Sequence, residues 1–235
     1  MPLMVGARAK VNGVGPPQTI DELLARARAL SGRSLADVAA DLGLYVGVDG
    51  VRTKGKFGGV LEAALGAHGG AGKVHDFPDL RVELKSVPVD ATGKPKESTY
   101  VCTFSVADAE REEWATSWVK QKLSCVLFVP LWVGEGEGAE ARTVCEPVLW
   151  KPNEAQESVL HSDFDDIVGL VGMGGIEELT AHEGRWLQVR PKARDGTKSA
   201  IAYGEDGDRI ATVPRGFYLR TKLTEAILKD VGAVP

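Results

Sequence analysis

Ile20, Leu23, Leu24 and Ala27 recur at the spacing of one helical face, and Thr19 stands three residues before Glu22, the spacing of a capping box. A helix is therefore predicted to open at Thr19 and to stop at Ser31-Gly32. Ser34 and Asp37 repeat the capping signature for a second short helix through Leu42. A third is predicted over residues 57–65, behind a basic loop at 52–56. The period then changes. Residues 80–89 alternate as a strand and 100–106 as a second, and Asp90 to Lys96 between them holds Gly93 and Pro95 and reads as a hairpin loop. A helix is expected within 107–124. Residues 125–133 are continuously apolar, the pattern of a strand buried on both faces. The acidic stretch 153–167 reads as helix, and short strands are expected near 186–190, 210–213 and 217–219. Residues 221–231 close the chain as a helix with Leu223, Ile227 and Leu228 inward. Interspersed helices and strands predict an α/β fold of the α+β kind with a mixed sheet. Residues 1–18, with Gly13, Gly15, Pro16 and Pro17, read as a flexible lead to a single domain over 19–235.

Composition narrows the class. With 43% apolar and 26% charged positions over 235 residues, the chain has an ordinary globular make-up, which excludes a disordered or fibrous protein. Cys102, Cys125 and Cys145 are odd in number, far apart and without a C-x-x-C pair. They read as core thiols rather than a disulfide scaffold or zinc site. The longest apolar run is too short to cross a membrane and no signal peptide is read, so the expected location is the reduced cytoplasm. A net charge of −5 excludes a strongly basic general nucleic-acid binder. The charge is uneven, however: residues 135–183 hold 12 acids and 2 bases, and residues 184–222 hold 9 bases and 4 acids. The second stretch is either a phosphate-facing patch or a solvated face.

The informative chemistry lies in Asp76-Phe-Pro-Asp-Leu-Arg-Val-Glu83-Leu-Lys85. If residues 80–85 form a strand, Leu80, Val82 and Leu84 enter the core, and Arg81, Glu83 and Lys85 share the opposite face, with Asp76 at the approach. Phosphodiester hydrolysis needs such a set. Carboxylates hold Mg²⁺, a hard cation that prefers oxygen ligands. The metal polarises the phosphate and acidifies a bound water. A lysine orients that water or neutralises developing charge. Without a cation, two close carboxylates raise one another's pKa. Glu62, on the preceding helix, is a candidate for a further carboxylate, and Lys122 precedes the buried strand. The plain alternatives are a solvent-facing strand edge with an ordinary ion pair, a surface glutamate, and a helix-end lysine placed by the helix dipole. His68 and His75 read as loop residues within reach of phosphate.

With these residues assembled, the chain resembles the MutH family, the strand-nicking endonucleases of methyl-directed DNA mismatch repair. The resemblance runs from about Thr19 to about Leu228. It is carried by Lys54-Gly-Lys-Phe-Gly-Gly-Val-Leu-Glu62, Asp76-Phe with Val82-Glu-Leu-Lys85, Val87-Pro-Val-Asp90 and Thr116-Ser117 with Lys122-Leu123. Further on come Leu149-Trp-Lys-Pro-Asn153, Leu187-Gln-Val-Arg-Pro-Lys192 and Pro214-Arg-Gly-Phe-Tyr-Leu219. It implies a fold like that of type II restriction endonucleases, two lobes around a DNA cleft, and Mg²⁺-dependent nicking (Mn²⁺ can substitute) of the unmethylated strand at hemimethylated GATC. By the same resemblance Asp76, Glu83 and Lys85 match the catalytic motif, Glu62 completes the acidic site and Lys122 is a further active-site lysine. Asp76, Glu83 and Glu62 are the implied metal ligands. Arg190 and Pro191 match base-reading positions, Lys192 closes that motif as a DNA-binding residue, and Tyr218 matches the sensor of adenine methylation. Lys54 and Gly55 resemble a DNA-contacting loop, and Tyr100 stands where relatives carry phenylalanine.

The implied partners are double-stranded DNA with GATC and a MutL-type ATPase that activates a latent nuclease, acting on a monomer. Two other readings compete: a restriction-type endonuclease cutting both strands of GATC, and a non-catalytic DNA-binding module on the same fold. The intact Asp76, Glu83 and Lys85 argue against the module, and the absence of a second recognition copy argues for a nickase.

Overall fold

The computed structural model describes residues 14–44, 54–69, 72–136, 138–192 and 196–229, with the backbone alone described at 54–56. Both N-caps form as read, but neither closes a full capping box: the Glu22 carboxylate accepts from the Gln18 N–H and that of Asp37 from the Ser34 hydroxyl. Thr19 Oγ1 accepts from the Glu22 N–H at the start of α1 (Ile20–Arg28), and Ser34 Oγ accepts from the Asp37 N–H at the start of α2 (Leu35–Asp41). Helix α3 (Lys54–Leu65) begins earlier than expected. Residues 54–56 of the expected basic loop are therefore its first turn, and 52–53 lie outside the described residues. Pro17 is buried and the Gly15 carbonyl accepts from Arg26 at 2.6 Å, so the lead is docked from Gly15 onward.

Strand β1 (Glu83–Val89) pairs in parallel with β3 (Val126–Val133), Glu83 opposite Val126. On the far side of β3 lie β4 (Arg142–Val144) and β5 (Val148–Trp150), both antiparallel to it and both too short to announce themselves in the sequence. A second, antiparallel sheet places β9 (Arg215–Leu219) between β2 (Thr99–Phe104) and β6 (Leu187–Pro191). A hairpin of β7 (Ala200–Tyr203) and β8 (Arg209–Thr212) stands apart, its first strand unforeseen. The result is a mixed α/β fold with parallel and antiparallel pairing, as the interspersed pattern required.

Three expectations need correction. Residues 90–96 do turn back tightly, with the Asp90 N–H donating to the Lys94 carbonyl and the Lys96 N–H to that of Pro88. Yet β1 and β2 are not a hairpin: β1 pairs with β3 and β2 with β9. The helix expected within 107–124 is broken into two 3-10 turns, Val106–Arg111 and Trp114–Thr116, followed by α4 (Trp118–Leu123). The long acidic helix is α5 (Glu154–Gly172), capped by Asn153 and running past its expected end at 167. The last helix is α6 (Thr221–Lys229), with Leu223, Ile227 and Leu228 buried as read.

Strand β3 explains why the core has two parts. Its side chains alternate, and both faces are buried. Leu127, Val129 and Leu131 join a cluster with Leu23, Leu35, Leu61 and Leu65 from α1 to α3. Val126 and Phe128 join the larger cluster under β2, β6, β9, α5 and α6. All three cysteines are buried free thiols, and burial pushes the Cys102 thiol up to about 12, so it is inert.

Candidate active site

The strand carrying the acidic motif starts at Glu83, not at Leu80. Residues 78–80 form a 3-10 turn, and Arg81 takes a left-handed conformation with φ 53°. Phe77 and Val82 exchange backbone hydrogen bonds at 3.0 and 3.2 Å and close this loop. The loop folds Asp76 back along β1, where its Oδ2 accepts from the Leu84 N–H at 2.8 Å. Arg81 is therefore exposed on the loop and does not share a face with Glu83 and Lys85. A second clamp acts from the other side: the backbone N–H groups of His68 and Gly69 both donate to the Asp76 carbonyl. A Cβ on Gly69 would collide with the His75 carbonyl, so only glycine allows that approach.

Glu83 overturns the reading of a solvent-facing strand edge. The residue is 1% exposed. Lys122, from the last turn of α4, donates to both carboxylate oxygens at 2.7 Å and to the Val74 carbonyl at 3.0 Å. Lys85 donates to Glu83 Oε1 at 2.6 Å. Lys122 is thus no helix-end surface lysine but a buried counterion. No local pattern pointed to Trp118, whose ring packs against His75 at 5.3 Å and lies 5.4 Å below the Lys122 ammonium. His75 sits 2.9 Å from the Gln121 carbonyl, and His68 pairs with Asp79 at 3.2 Å.

Burial and the negative charge of Glu83 hold the Asp76 carboxyl above its usual range. Glu62, on α3, keeps contact with solvent, but the protein around it and the charge of Asp76 raise its carboxyl as well. Among the described residues, no group of three or more His, Cys, Asp and Glu closes into a ligand cage. Mg²⁺ does not require one, because it keeps several waters and takes one or two carboxylates. An all-oxygen donor set in which two acids resist ionisation is one that a hard divalent cation would relieve, so the residues present fit such an ion.

A cavity of about 670 Å³ joins this cluster to the candidate base-reading residues; its lining includes Glu62, Lys85, Tyr100, Arg190, Pro191 and Tyr218. Tyr100 and Tyr218 lie opposite each other across β2 and β9, with ring centroids 5.2 Å apart. The register slips between Tyr100 and Cys102, a bulge that re-aims the Tyr100 ring. Gly216 leaves room for that ring, since a Cβ there would stand 2.8 Å from it. Lys192 donates to Tyr100 Oη at 3.0 Å and to Thr103 Oγ1 at 2.9 Å, and Arg190 donates to Ser98 Oγ at 2.8 Å. Ser98 and Thr103 were not foreseen, because a lone hydroxyl in a strand or just before one carries no signal. Asp163 was also missed. Buried on α5, it accepts from the N–H groups of Arg185, Trp186 and Leu187 at 2.7 to 2.8 Å and anchors the start of β6. The backbone of Lys54 and Gly55 is the first turn of α3, while their side chains lie outside the described residues.

Comparison with known proteins is consistent along the chain. The family model described as MutH, a DNA mismatch repair enzyme, matches residues 65–163. The DNA mismatch repair protein MutH of Escherichia coli K12 is 41% identical over 218 residues, covering 92% of this chain and 94% of that protein. The same figures hold for MutH of the O9:H4 strain HS and the O127:H6 strain E2348/69. Among the described residues no helix is long and apolar enough to cross a membrane. The chain is a DNA mismatch repair endonuclease. It belongs to the MutH family.

Proposed function

We propose that the cavity between Glu62, Lys85, Arg190 and Tyr218 receives the GATC duplex, and that one phosphodiester is hydrolysed at the Asp76–Glu83–Lys85–Lys122 cluster. The observation that carries this reading is the buried carboxylate Glu83 held by two lysines beside a second carboxyl that resists ionisation. Asp76 and Glu83, with Glu62 nearby, would hold Mg²⁺, which when bound supplies Lewis acidity at the phosphate and an acidified water. Lys85 orients the attacking water and Lys122 neutralises charge on the phosphate. Both roles suit ammonium groups already desolvated and fixed, because charge stabilisation is strongest where no reorganisation is needed. Arg190 reads guanine by a bidentate contact in the major groove, helped by Ser98, while Pro191 flanks it and Lys192 holds backbone phosphate. Tyr218, braced by Tyr100, contacts the adenine edge and distinguishes the methylated strand. Lys54 and Gly55 approach the duplex from the start of α3.

The two apolar clusters on either face of β3 support a restriction endonuclease-like arrangement of two lobes around a DNA cleft, within one domain over 19–235. A net charge of −5 keeps affinity for DNA low in the free monomer, since phosphate neutralisation dominates non-specific binding. Recruitment by a MutL-type ATPase in the cytoplasm then supplies the missing affinity. Likeness to mismatch repair proteins over 92% of the chain favours this reading over a restriction enzyme. The test is nicking of a GATC duplex across a Mg²⁺ titration. Wild type cuts in a metal-dependent manner and Lys85→Ala, folded by circular dichroism, does not; full activity in Lys85→Ala sinks the assignment.

A further inference from the structure

We propose that a second, cation-lined cavity beside the catalytic cluster holds backbone phosphates flanking the cut, with Lys73 and Arg81 as their ligands. The proposal rests on the nuclease reading above and extends it to a surface that reading leaves unused. The cavity, of about 650 Å³, is lined in part by Lys73, His75, Arg81, Trp118, Lys120 and Gln121, and among the described residues by no carboxylate. That is unusual in a chain with more acids than bases. It shares a wall with the catalytic cluster. The Val74 carbonyl in its lining accepts from the Lys122 ammonium at 3.0 Å, and His75 directly precedes Asp76.

Lys120 is already tied to Glu157 at 3.0 Å. Lys73 and Arg81 make no side-chain hydrogen bond or ion pair with another described residue. Arg81 is moreover the one non-glycine residue with positive φ among the described residues. The loop needs a left-handed residue there to bring Asp76 back to Leu84, but glycine or asparagine would serve that need without strain. An exposed arginine kept in a strained position points to work done by its side chain. The substrate supplies that work. On each strand one phosphate follows another about every 3.4 Å of helix axis, so a phosphate placed at the catalytic cluster beside Lys122 forces its neighbours onto the adjoining surface.

The test measures binding of the full chain to a hemimethylated GATC duplex in EDTA, over a salt series, for wild type and Lys73→Ala/Arg81→Gly. The expected result is a log–log salt slope shallower by about two, one unit for each lost phosphate contact. Preference for hemimethylated over fully methylated DNA stays unchanged, and the melting temperature is not lowered, because glycine relieves the strain. An unchanged slope and affinity overturns the proposal. A parallel nicking assay with Mg²⁺ and the MutL-type ATPase completes the test: an intact slope with activation lost also overturns the proposal and assigns the cavity to a protein partner. Failure of the underlying reading looks different: wild type then shows no GATC-dependent binding or nicking, and the proposal falls with it.

Discussion

Lys122 and Glu83 stand 39 positions apart in the chain and meet with both carboxylate oxygens 2.7 Å from one ammonium, at 8% and 1% exposure. Such a pair is a requirement of the site more than a source of stability. Desolvating two charges roughly cancels their attraction, but removing one partner strands the other. Lys122→Ala is expected to cost about 3 kcal/mol in urea unfolding, the lower end for breaking a buried pair, because Lys85 still holds Glu83. Glu83→Gln/Lys122→Met should recover most of that loss while remaining without nicking activity. A double variant no more stable than Lys122→Ala would show that the pair itself stabilises the fold.

Asp76 and Glu62 make stability depend on pH and metal in a defined sense. Their carboxyls lie above the usual range in the folded chain, so the native state keeps their protons to higher pH than the unfolded chain does. Their contribution is therefore most favourable below the ordinary carboxylate range and is lost as pH rises from there through the raised folded values. Metal-free Asp76→Asn should melt higher than wild type at neutral pH, and the gap should close in mild acid. Mg²⁺ should raise the melting temperature of wild type and leave that of Asp76→Asn unmoved. Thermal scans at several pH values with and without Mg²⁺ decide this; equal Mg²⁺ stabilisation of the variant would remove Asp76 from the ligand set.

The split between what could and could not be read from the chain has a physical basis. Caps, the doubly buried strand and the amphipathic last helix are local patterns, and they appear where Thr19, Ser34, the apolar run 125–133 and Leu223 announced them, the strand one residue shorter at Val126–Val133. The acidic motif was legible as chemistry but not as geometry. Strand alternation put Arg81 beside Glu83, whereas a left-handed turn at Arg81 sends it outward and brings Asp76 inward instead. The pairing of β1 with β3 across a 3-10-rich excursion, and the docking of Lys122 on Glu83, are long-range events with no local signature. Ser98, Thr103, Trp118 and Asp163 matter through partners that are distant in the chain, and no spacing rule finds them.

Arg190 and its support should separate by magnitude. Loss of a bidentate guanine contact is worth about 1–3 kcal/mol, so Arg190→Ala should lower kcat/KM on GATC by roughly 5- to 150-fold. Ser98→Ala removes a single neutral acceptor from the guanidinium and should cost less than about tenfold. Competition between GATC and single-base variants of the site measures both. An Arg190→Ala enzyme that still discriminates as well as wild type would move base reading elsewhere.

Asp163 tests whether β6 is positioned from α5. Asp163→Asn keeps one acceptor oxygen for three N–H donors, so a loss of about 1–3 kcal/mol in unfolding free energy is expected. Nicking should weaken through substrate affinity, because Arg190 rides on β6, with the rate at saturating DNA little changed. A fall in that rate at unchanged affinity would contradict this.

The decisive measurement is strand choice. A duplex with one hemimethylated GATC site, each strand carrying a different end label, is incubated with the protein, Mg²⁺ and its MutL-type partner. Cutting confined to the unmethylated strand, lost in Lys85→Ala and made indiscriminate in Tyr218→Ala, is the expected result. Cutting of both strands without dependence on the partner would contradict it and mark a restriction-type enzyme instead.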